Sequence, residues 1–433
     1  MKHLPHYLAI SMSVIALAGC NGGSESSSSD SSSANVTPTE LERPILPTLD
    51  PTNPNPNNSN CNLVMSSGEV NWAAINNDVE FKDNCEKLSD YNFFADATNP
   101  TTGLNTANAN GTLYTMQTQL FTDYASKYRF VVMPQGSSAD YMQNETFIFP
   151  VGTVLIKSFA LPKDTATRGI TNEELIETRL LIKRTSGWIA LPYVWNEDYS
   201  DAQLTAAPIN LDRTITHDGA TMSFAYGVPG RDQCTTCHNI NKDITDPTGK
   251  VQAAGFAPIG PKARSLNSGH TYGSTTQNQL EYWSDNGLLI NLPTNMALVQ
   301  DVPVFDGTEG VVTTNLTATE IEDYAKAYLD INCAHCHRDE GKASSTGLYL
   351  PDWLAYTGNE ETHGRCRTSL TSTKASTTID LWPGDADKSL IHYRMSITDG
   401  EKMPELGRDL VHSEGLALVK TWINQLPYQD CSK

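Results

Sequence analysis

Basic residues are scarce in this chain of 433 residues. Lys and Arg together number 30, against 50 Asp and Glu, so the formal net charge at neutral pH is −20. A surface that binds nucleic acid needs clustered positive charge to meet the phosphates, so this composition argues against a nucleic-acid partner. The acidity keeps the protein soluble, or it attracts a basic protein partner through long-range charge.

Long apolar runs and familiar catalytic patterns are also missing. Apart from residues 7–18, no stretch is apolar enough to span a bilayer, and that run is shorter than the roughly 20 residues that a spanning helix needs. In residues 61–225 we find no metal-ligand cluster, nucleophile triad or phosphate-binding loop. The sequence therefore argues against a membrane-spanning helix and gives no direct sign of hydrolytic or phosphoryl-transfer chemistry.

The N-terminal residues have the pattern of a bacterial export signal. A positive head at Lys2 and His3 precedes the apolar run, and Leu17-Ala-Gly-Cys20 resembles a lipobox. By that resemblance, residues 1–20 are a lipoprotein signal peptide, and Cys20 carries the lipid that anchors the protein to a membrane. The alternative is an ordinary signal peptide with a chance cysteine.

Residues 21–60 are rich in serine and then in proline and asparagine. Such a composition does not bury enough apolar surface to offset the entropy of ordering, so we expect a disordered tether. Position 21 is Asn rather than the Asp that resembles an inner-membrane retention signal. This favours the outer membrane, facing the periplasm or the cell surface.

The cysteines fall into three groups. Besides Cys20, four lie in two copies of C-x-x-C-H, at residues 234–238 and 333–337. The other four are well separated and even in number, which in an oxidising compartment indicates disulfides. We predict the pairs Cys61–Cys85 and Cys366–Cys431, because each pair lies within one predicted domain.

The repeated C-x-x-C-H motif is the strongest signal in the chain. C-x-x-C-H is the attachment site of c-type haem: the two thiols add to the haem vinyl groups, and the adjacent histidine binds the iron. The sequence therefore predicts two covalent haems c. Their thioether residues are Cys234, Cys237, Cys333 and Cys336, and their iron ligands are His238 and His337.

Two other chemistries use paired cysteines. A zinc ribbon places its pairs about 15–20 residues apart, whereas 95 residues separate Cys237 from Cys333. A thiol redox centre does not need the histidine that follows both copies. Haem attachment accounts for both features.

The second motif has the sequence surroundings of a cytochrome. Thr317 and Glu320 form a capping box that predicts the start of a helix, and apolar residues then recur at helical spacing up to the motif. A second amphipathic helix is predicted near Leu416–Leu426. A helix before C-x-x-C-H and another near the chain end resemble the class I cytochrome c fold over about residues 316–427.

A methionine lies between these two predicted helices. Met403 precedes Pro404, which disfavours helical backbone and places Met403 in an extended loop. A thioether opposite histidine is a common axial pair in cytochromes c, so we predict Met403 as the sixth ligand of the second haem.

The surroundings of the first motif are less specific. Residues 258–261, Pro-Ile-Gly-Pro, resemble the Gly-Pro element that lines the proximal side of cytochrome haems, and residues 277–288 predict a helix. Three possibilities remain for the sixth ligand of the first haem: Met296, His270, or an open position.

Residues 61–225 read as β-rich. Apolar runs at 128–133 and 147–156 predict strands, and residues 179–184 and 188–195 flank a short glycine turn that predicts a hairpin. We expect a sandwich or barrel, followed by two mainly α, cytochrome c-like haem domains at residues 226–315 and 316–433. The predicted class is thus α+β multidomain.

From about Cys85 onwards the chain resembles a family of secreted bacterial proteins with two C-x-x-C-H motifs and no assigned substrate. The resemblance is carried by Tyr328-Leu-Asp-Ile-Asn-Cys-Ala-His-Cys-His337, Pro383-Gly-Asp385 and several strand segments, among them Tyr193-Val-Trp-Asn196. It implies binding of two haems.

These features predict an electron carrier working between redox protein partners outside the cytoplasm. Two alternatives stay open: a peroxidase-like oxidoreductase with an open sixth position on the first haem, or a binding module in residues 61–225 with the haems as its redox output. In the second case Trp188, Tyr193 and Trp195 would line a binding site rather than a core.

We predict that fractionation of a cell envelope recovers the protein with outer-membrane markers, attached only through the lipid on Cys20. Recovery with inner-membrane markers would contradict this assignment.

Overall fold

The computed structural model describes residues 58–95, 111–169, 172–305, 307–308, 310–369 and 377–432. The predicted signal peptide with Cys20, and nearly all of the predicted tether, lie outside the described residues. The chain divides into two units, residues 1–41 and 42–433, and every described residue belongs to the second. Helix makes up 24 % and strand 27 % of the chain, which confirms the mixed α+β class.

An open antiparallel sheet occupies the middle of the chain. Its six strands have the order β1-β2-β4-β5-β6-β7. They are β1 Thr112–Leu113, β2 Ser126–Val132, β4 Val154–Pro162, β5 Glu173–Arg184, β6 Gly187–Trp195 and β7 Ala202–Leu204, with β3 at Ala139–Asp140 outside the sheet. The predicted β5–β6 hairpin is confirmed, whereas the run 147–156 becomes strand only from Val154.

A separate hairpin packs on this sheet. Strands β8 Ile209–His217 and β9 Ala220–Val228 pair along their full length. Leu211 and Ile215 of the hairpin share an apolar cluster with Phe159 of the sheet. The six-stranded sheet is therefore open, with a hairpin packed on it, so of the two predicted forms the layered sandwich is closer to the structure than the barrel.

The two faces of the sheet pack against different parts of the chain. Phe130 and Val132 of β2 face the N-terminal residues, which include helix α1 (Trp72–Ile75). Val131, between them, faces the opposite way and joins a cluster with Trp283 and Ile331, as the two-residue period of a strand requires. Residues from all three predicted domains thus share one core.

A buried arginine and a disulfide hold the N-terminal layer in place. Arg184 donates to the carbonyl of Ile75 at 3.1 Å and to Oδ1 of Asn84 at 2.7 Å. The sulfurs of Cys61 and Cys85 lie at bonding distance, 2.02 Å, as predicted.

Residues 226–315 combine short helices with short strand pairs. The helices are α2 Arg231–His238, α3 Ala263–Leu266 and α4 Gln279–Asp285, and the strands are β10 Asn239–Ile240, β11 Ile244–Thr245, β12 Val251–Gln252, β13 Gly255–Phe256, β14 Gly269–Tyr272, β15 Thr275–Asn278 and β16 Leu289–Ile290. The predicted helix at 277–288 is present as α4, although it is shorter. The expectation of a mainly α region is wrong here, because helix and strand contribute about equally.

The last part of the chain is helical around its core. Its helices are α5 Ala318–Leu329, α6 Leu390–Ser396 and α7 Ser413–Gln425, and a π-helical turn at Asp330–Ala334 continues α5 into the second motif. Short 3-10 turns lie at Ser59–Asn62, Phe81–Asp83, Leu88–Tyr91, Met296–Leu298, Thr313–Asn315, Ser344–Thr346 and Ala386–Lys388. No helix in the described ranges has the length and apolar character needed to cross a bilayer.

The predicted helix pair is confirmed in detail. Thr317 and Glu320 form the expected capping box, with the Glu320 side chain accepting from the Thr317 backbone at 2.7 Å. Helices α5 and α7 share one apolar cluster. A Cβ atom at Gly415 would lie 2.4 Å from the Tyr328 ring, so only glycine allows this close approach. Cys366 and Cys431 are paired as predicted.

A buried ion cluster connects the second motif to residues 226–315. Asp330, at the start of the π turn, accepts from Arg264 at 2.7 and 2.8 Å and from Lys262 at 3.2 Å. These charged groups are almost fully buried. Despite burial, which opposes ionisation, the two cations lower the pKa of Asp330 well below its usual value.

We predict that Asp330→Asn lowers the free energy of unfolding by about 3–5 kcal/mol, because it leaves two cations buried without a counter-charge. Since the folded-state pKa is lowered, the carboxylate stabilises the fold above its unfolded pKa of about 4, and this contribution is lost as the pH falls towards the folded value. Denaturant unfolding should therefore show a constant difference from pH 5 to 8 that shrinks below pH ~4. Asp323→Asn, an exposed change on α5, is the control, and equal stability losses in the two variants would contradict the prediction.

Candidate functional site

The two C-x-x-C-H motifs meet in space. The first ends helix α2, and the second follows α5 across the π turn. The sulfurs of Cys237 and Cys336 and a ring nitrogen of His335 all lie within 4.8 Å of one another. The Cys336 thiol also donates to the Thr236 carbonyl at 3.2 Å. Motifs separated by almost a hundred residues therefore form one centre.

The four motif thiols have different electrostatic environments. The Cys336 thiol, hydrogen-bonded to Cys237, lowers the pKa of Cys237 to about 4, and the same contact raises the pKa of Cys336. Burial raises the pKa of Cys333 to about 12, and it also raises that of Cys234.

The first motif presents an oriented histidine. Nδ1 of His238 lies 2.8 Å from the Ala257 carbonyl. A carbonyl only accepts, so Nδ1 carries the proton and Nε2 keeps its lone pair free to bind a metal. The ring stacks on Phe256 at 5.0 Å, and burial lowers the His238 pKa to about 4, which keeps the imidazole neutral.

The histidine of the second motif is also neutral. Burial lowers the pKa of His337 to about 4, with the Leu348 carbonyl acting in the opposite direction. Metal binding by imidazole requires the neutral ring, so both motif histidines are in the form that binds iron.

A cavity adjoins each motif. The first cavity, about 1550 Å³ including space open to solvent, is lined by Cys234, Cys237 and His238 of the first motif. The second, about 1140 Å³ on the same measure, is lined by Cys333, Cys336 and His337. Each motif therefore borders space that protein atoms do not fill.

The walls of the first cavity come from three regions of the chain. Residues 258–261 line it, as their resemblance to a proximal-side element predicts. The sheet contributes residues such as Leu155 of β4 and Leu181 of β5, and the C-terminal part contributes Tyr328. The β-rich part of the chain is therefore a wall of the site.

Met403 lies where the two cavities approach each other. Met403 and Met395 line both of them. The Met403 backbone donates to the Arg394 carbonyl at 2.9 Å, and its own carbonyl accepts from Arg408 at 2.9 Å. Backbone contacts thus hold the predicted ligand where it borders both cavities.

Arg408 organises this loop. Its Nη2 donates to four backbone carbonyls, one of them that of Met403. Its Nε donates to the Met403 carbonyl as well, and its Nη1 donates to the Leu410 carbonyl. A guanidinium offers five donors in a rigid plane, which suits it to gather several carbonyls. The sequence analysis missed this buried residue, because nothing in the neighbouring sequence distinguishes it from other arginines.

The candidates for a sixth ligand at the first motif lie elsewhere. Met296 packs against the core cluster that contains Trp283, and His270 lies on β14 with its ring 4.8 Å from Tyr272. Neither residue lines either cavity. Met116 does line the first cavity and is buried, although its sequence context gave no signal.

The aromatic residues considered for a binding site are mainly structural. Tyr193 and Trp195 are buried in the core on the N-terminal face of the sheet. Trp188 is partly buried and packs on the opposite face. These positions favour a core role over a binding surface.

The donor set fits two covalent haems. Four thiols in attachment spacing, two neutral imidazoles and a thioether side chain surround two adjoining cavities. His238 and His337 would hold the irons, and Cys234, Cys237, Cys333 and Cys336 would hold the porphyrins.

We predict that the chain produced without haem forms a Cys237–Cys336 disulfide when treated with diamide, because these sulfurs already lie within 4.8 Å. The crosslink should persist in a Cys234→Ser/Cys333→Ser double variant and be lost in Cys336→Ser, as read by non-reducing peptide mapping. Exclusive formation of Cys234–Cys237 and Cys333–Cys336 would show that the motifs do not meet.

Comparison of the chain with protein-family models, with curated proteins and with solved structures gives no match. The resemblance to secreted proteins with two C-x-x-C-H motifs therefore stays a prediction from the residues.

Proposed function

We propose that this protein is a lipid-anchored di-haem c-type cytochrome that transfers electrons between partners outside the cytoplasm. The observation that supports it most directly is the meeting of the two motifs at Cys237 and Cys336. Each haem, once bound, supplies a one-electron centre whose potential is tuned by its axial ligands and by burial.

The chain's own residues attach and orient the two groups. The four motif cysteines fix the porphyrin edges, and Ala257 holds the His238 ring with Nε2 available to the iron. Met403, which lines that motif's cavity as well as the first, would bind the second iron through its sulfur, and the Arg408 contacts to its carbonyl hold the loop. A thioether ligand favours the reduced iron, which raises the potential of that haem.

Proximity makes the pair useful for electron transfer. Cys237 and Cys336 each attach one haem, so their contact keeps the two groups adjacent without an intervening carrier. Partners would dock from outside and exchange electrons with either group. A net charge of −20 favours basic partners and makes association sensitive to ionic strength.

The cytochrome c-like arrangement and the lipid anchor in this proposal have separate support. The pair α5 and α7 around the second motif supports a cytochrome c-like arrangement of residues 316–433. The lipobox resemblance supports attachment through Cys20 and an outer-membrane location.

Optical spectroscopy with a haem count tests the proposal. The full chain is matured with the c-type haem attachment machinery, a pyridine haemochrome assay counts its haems, and spectra are taken before and after dithionite reduction. We expect two haems, both low-spin and both reduced. One high-spin haem would instead favour the peroxidase-like alternative, which turnover of peroxide with a reduced cytochrome would then support.

A metal site is the second candidate. Two thiols and an imidazole, from Cys237, Cys336 and His335, converge within 4.8 Å, which suits zinc. This site leaves Cys234 and Cys333 without a role. Stoichiometric zinc in the mature protein, together with no covalent haem, would establish the zinc site and defeat the proposed function.

We predict that Met403→Leu lowers the midpoint potential of one haem and converts part of it to a high-spin form, because leucine fills the space without a sulfur ligand. Spectroelectrochemical titration measures both effects. Met296→Leu is the matched control, since Met296 lines neither cavity. A change in Met296→Leu with none in Met403→Leu would reverse the ligand assignment.

A further inference from the structure

Three basic side chains form a row across the central sheet. The strand register places Arg129 of β2 opposite Lys157 of β4, and Lys157 opposite Arg179 of β5. Directly paired residues project from the same face of a sheet. All three side chains line the first cavity, together with the first C-x-x-C-H motif. We call Arg129, Lys157 and Arg179 the basic row.

One carboxylate, that of Glu177, lies beside the basic row, and it is already paired with Arg179. Glu177 accepts from Nε of Arg179 at 2.8 Å and from Nη2 at 2.6 Å. The Tyr226 hydroxyl donates to the same carboxylate at 2.9 Å. Glu177 is fully buried, and its single negative charge is paired with Arg179, so the row carries two more positive charges than this carboxylate balances.

Arg129 and Lys157 form no ion pair with a carboxylate among the described residues. Arg129 makes only long contacts, 3.4 Å to the Lys127 carbonyl and 3.5 Å to Oε1 of Gln119. The Lys157 ammonium lies 4.7 Å from the Phe159 ring centroid.

The charged forms of Arg129 and Lys157 are disfavoured by their surroundings in the protein. Burial lowers the pKa of Arg129 to about 10, and burial followed by the neighbouring cations lowers the pKa of Lys157 well below its usual value. Like charges at paired sheet positions are destabilising, and buried charges without counter-charges are costly. An anion in the first cavity would relieve both.

We propose that the basic row is an anion-binding site in the wall of the first cavity, and that its ligand is a carboxylate or a small oxyanion. Arginine binds planar oxyanions through paired donors, and lysine adds a point charge. Two sources supply this chemistry: the propionates of a haem attached at Cys234 and Cys237, or a free oxyanion that enters the cavity. The first source rests on the proposed function, whereas the second does not require it.

The test uses the full chain with its haems and three single variants. Lys157→Met and Arg129→Gln each remove one charge from the row. Lys163→Met removes the same charge as Lys157→Met from an exposed position just beyond β4 and is the matched control. Midpoint potentials are measured in buffer free of oxyanions, binding of inorganic phosphate is measured by calorimetry, and thermal unfolding verifies that each variant is folded.

Propionate binding predicts that Lys157→Met and Arg129→Gln lower one midpoint potential by about 59 mV, a tenfold change in a one-electron equilibrium. The direction follows because a lost positive charge favours the oxidised iron. Wild type would then give no heat with phosphate. Free-oxyanion binding predicts instead that phosphate binds wild type saturably and Lys157→Met at least tenfold more weakly.

Either pattern supports the site and identifies its ligand. If both folded row variants match Lys163→Met in potential and in phosphate binding, the proposal is wrong. A haem count of zero would overturn the proposed function separately, and the phosphate measurement on that haem-free chain would still decide whether the basic row binds an anion.

Discussion

The contact between the two C-x-x-C-H motifs is the constraint around which the described part of the chain is built. It requires α2 and the turn after α5 to approach closely, although they lie far apart in sequence. Buried ion pairs fix the segment around the second motif to other parts of the chain. Asp330 binds Arg264 of α3, and Arg338, next to the second motif, binds Glu145 through two contacts of 2.9 Å.

The central sheet also contributes to the region where the two motifs meet. One of its faces packs on the N-terminal layer, and the other forms a wall of the first cavity. The cluster that contains Val131, Trp283 and Ile331 runs through all three predicted domains. Removing residues 61–225 would therefore take away part of the wall of the first cavity, which argues against the sheet as an appended binding module.

Local patterns made much of this structure predictable. The capping box at Thr317 and the hairpin turn before Gly187 were predicted correctly, because interactions between residues close in sequence determine them. Both cysteine pairs were also predicted correctly, from the even number of remaining cysteines and their location within predicted domains. The attachment of haem to the motif cysteines and histidines follows from five-residue motifs and stays a prediction. The sequence left a sandwich and a barrel open, because strand patterns do not reveal whether a sheet closes. Residues 226–315 contain more strands than their one clear helix suggested.

Long-range proximity was not predictable from one sequence. Nothing near Cys237 indicates that Cys336 lies beside it, and nothing near Met116 places it in the first cavity. Lys157 reads as an ordinary strand residue until the register brings it between two arginines. Met296 and His270 were plausible ligands by residue type alone, and the fold places both outside the two cavities.

The central claim is that two haems lie side by side, and electron paramagnetic resonance of the fully oxidised protein tests it most directly. Two adjacent ferric centres should interact magnetically. The wild-type spectrum should then differ from the sum of two single-haem spectra, obtained from a Cys234→Ser/Cys237→Ser variant and a Cys333→Ser/Cys336→Ser variant. A wild-type spectrum equal to that sum would show two distant, independent centres and would contradict the account.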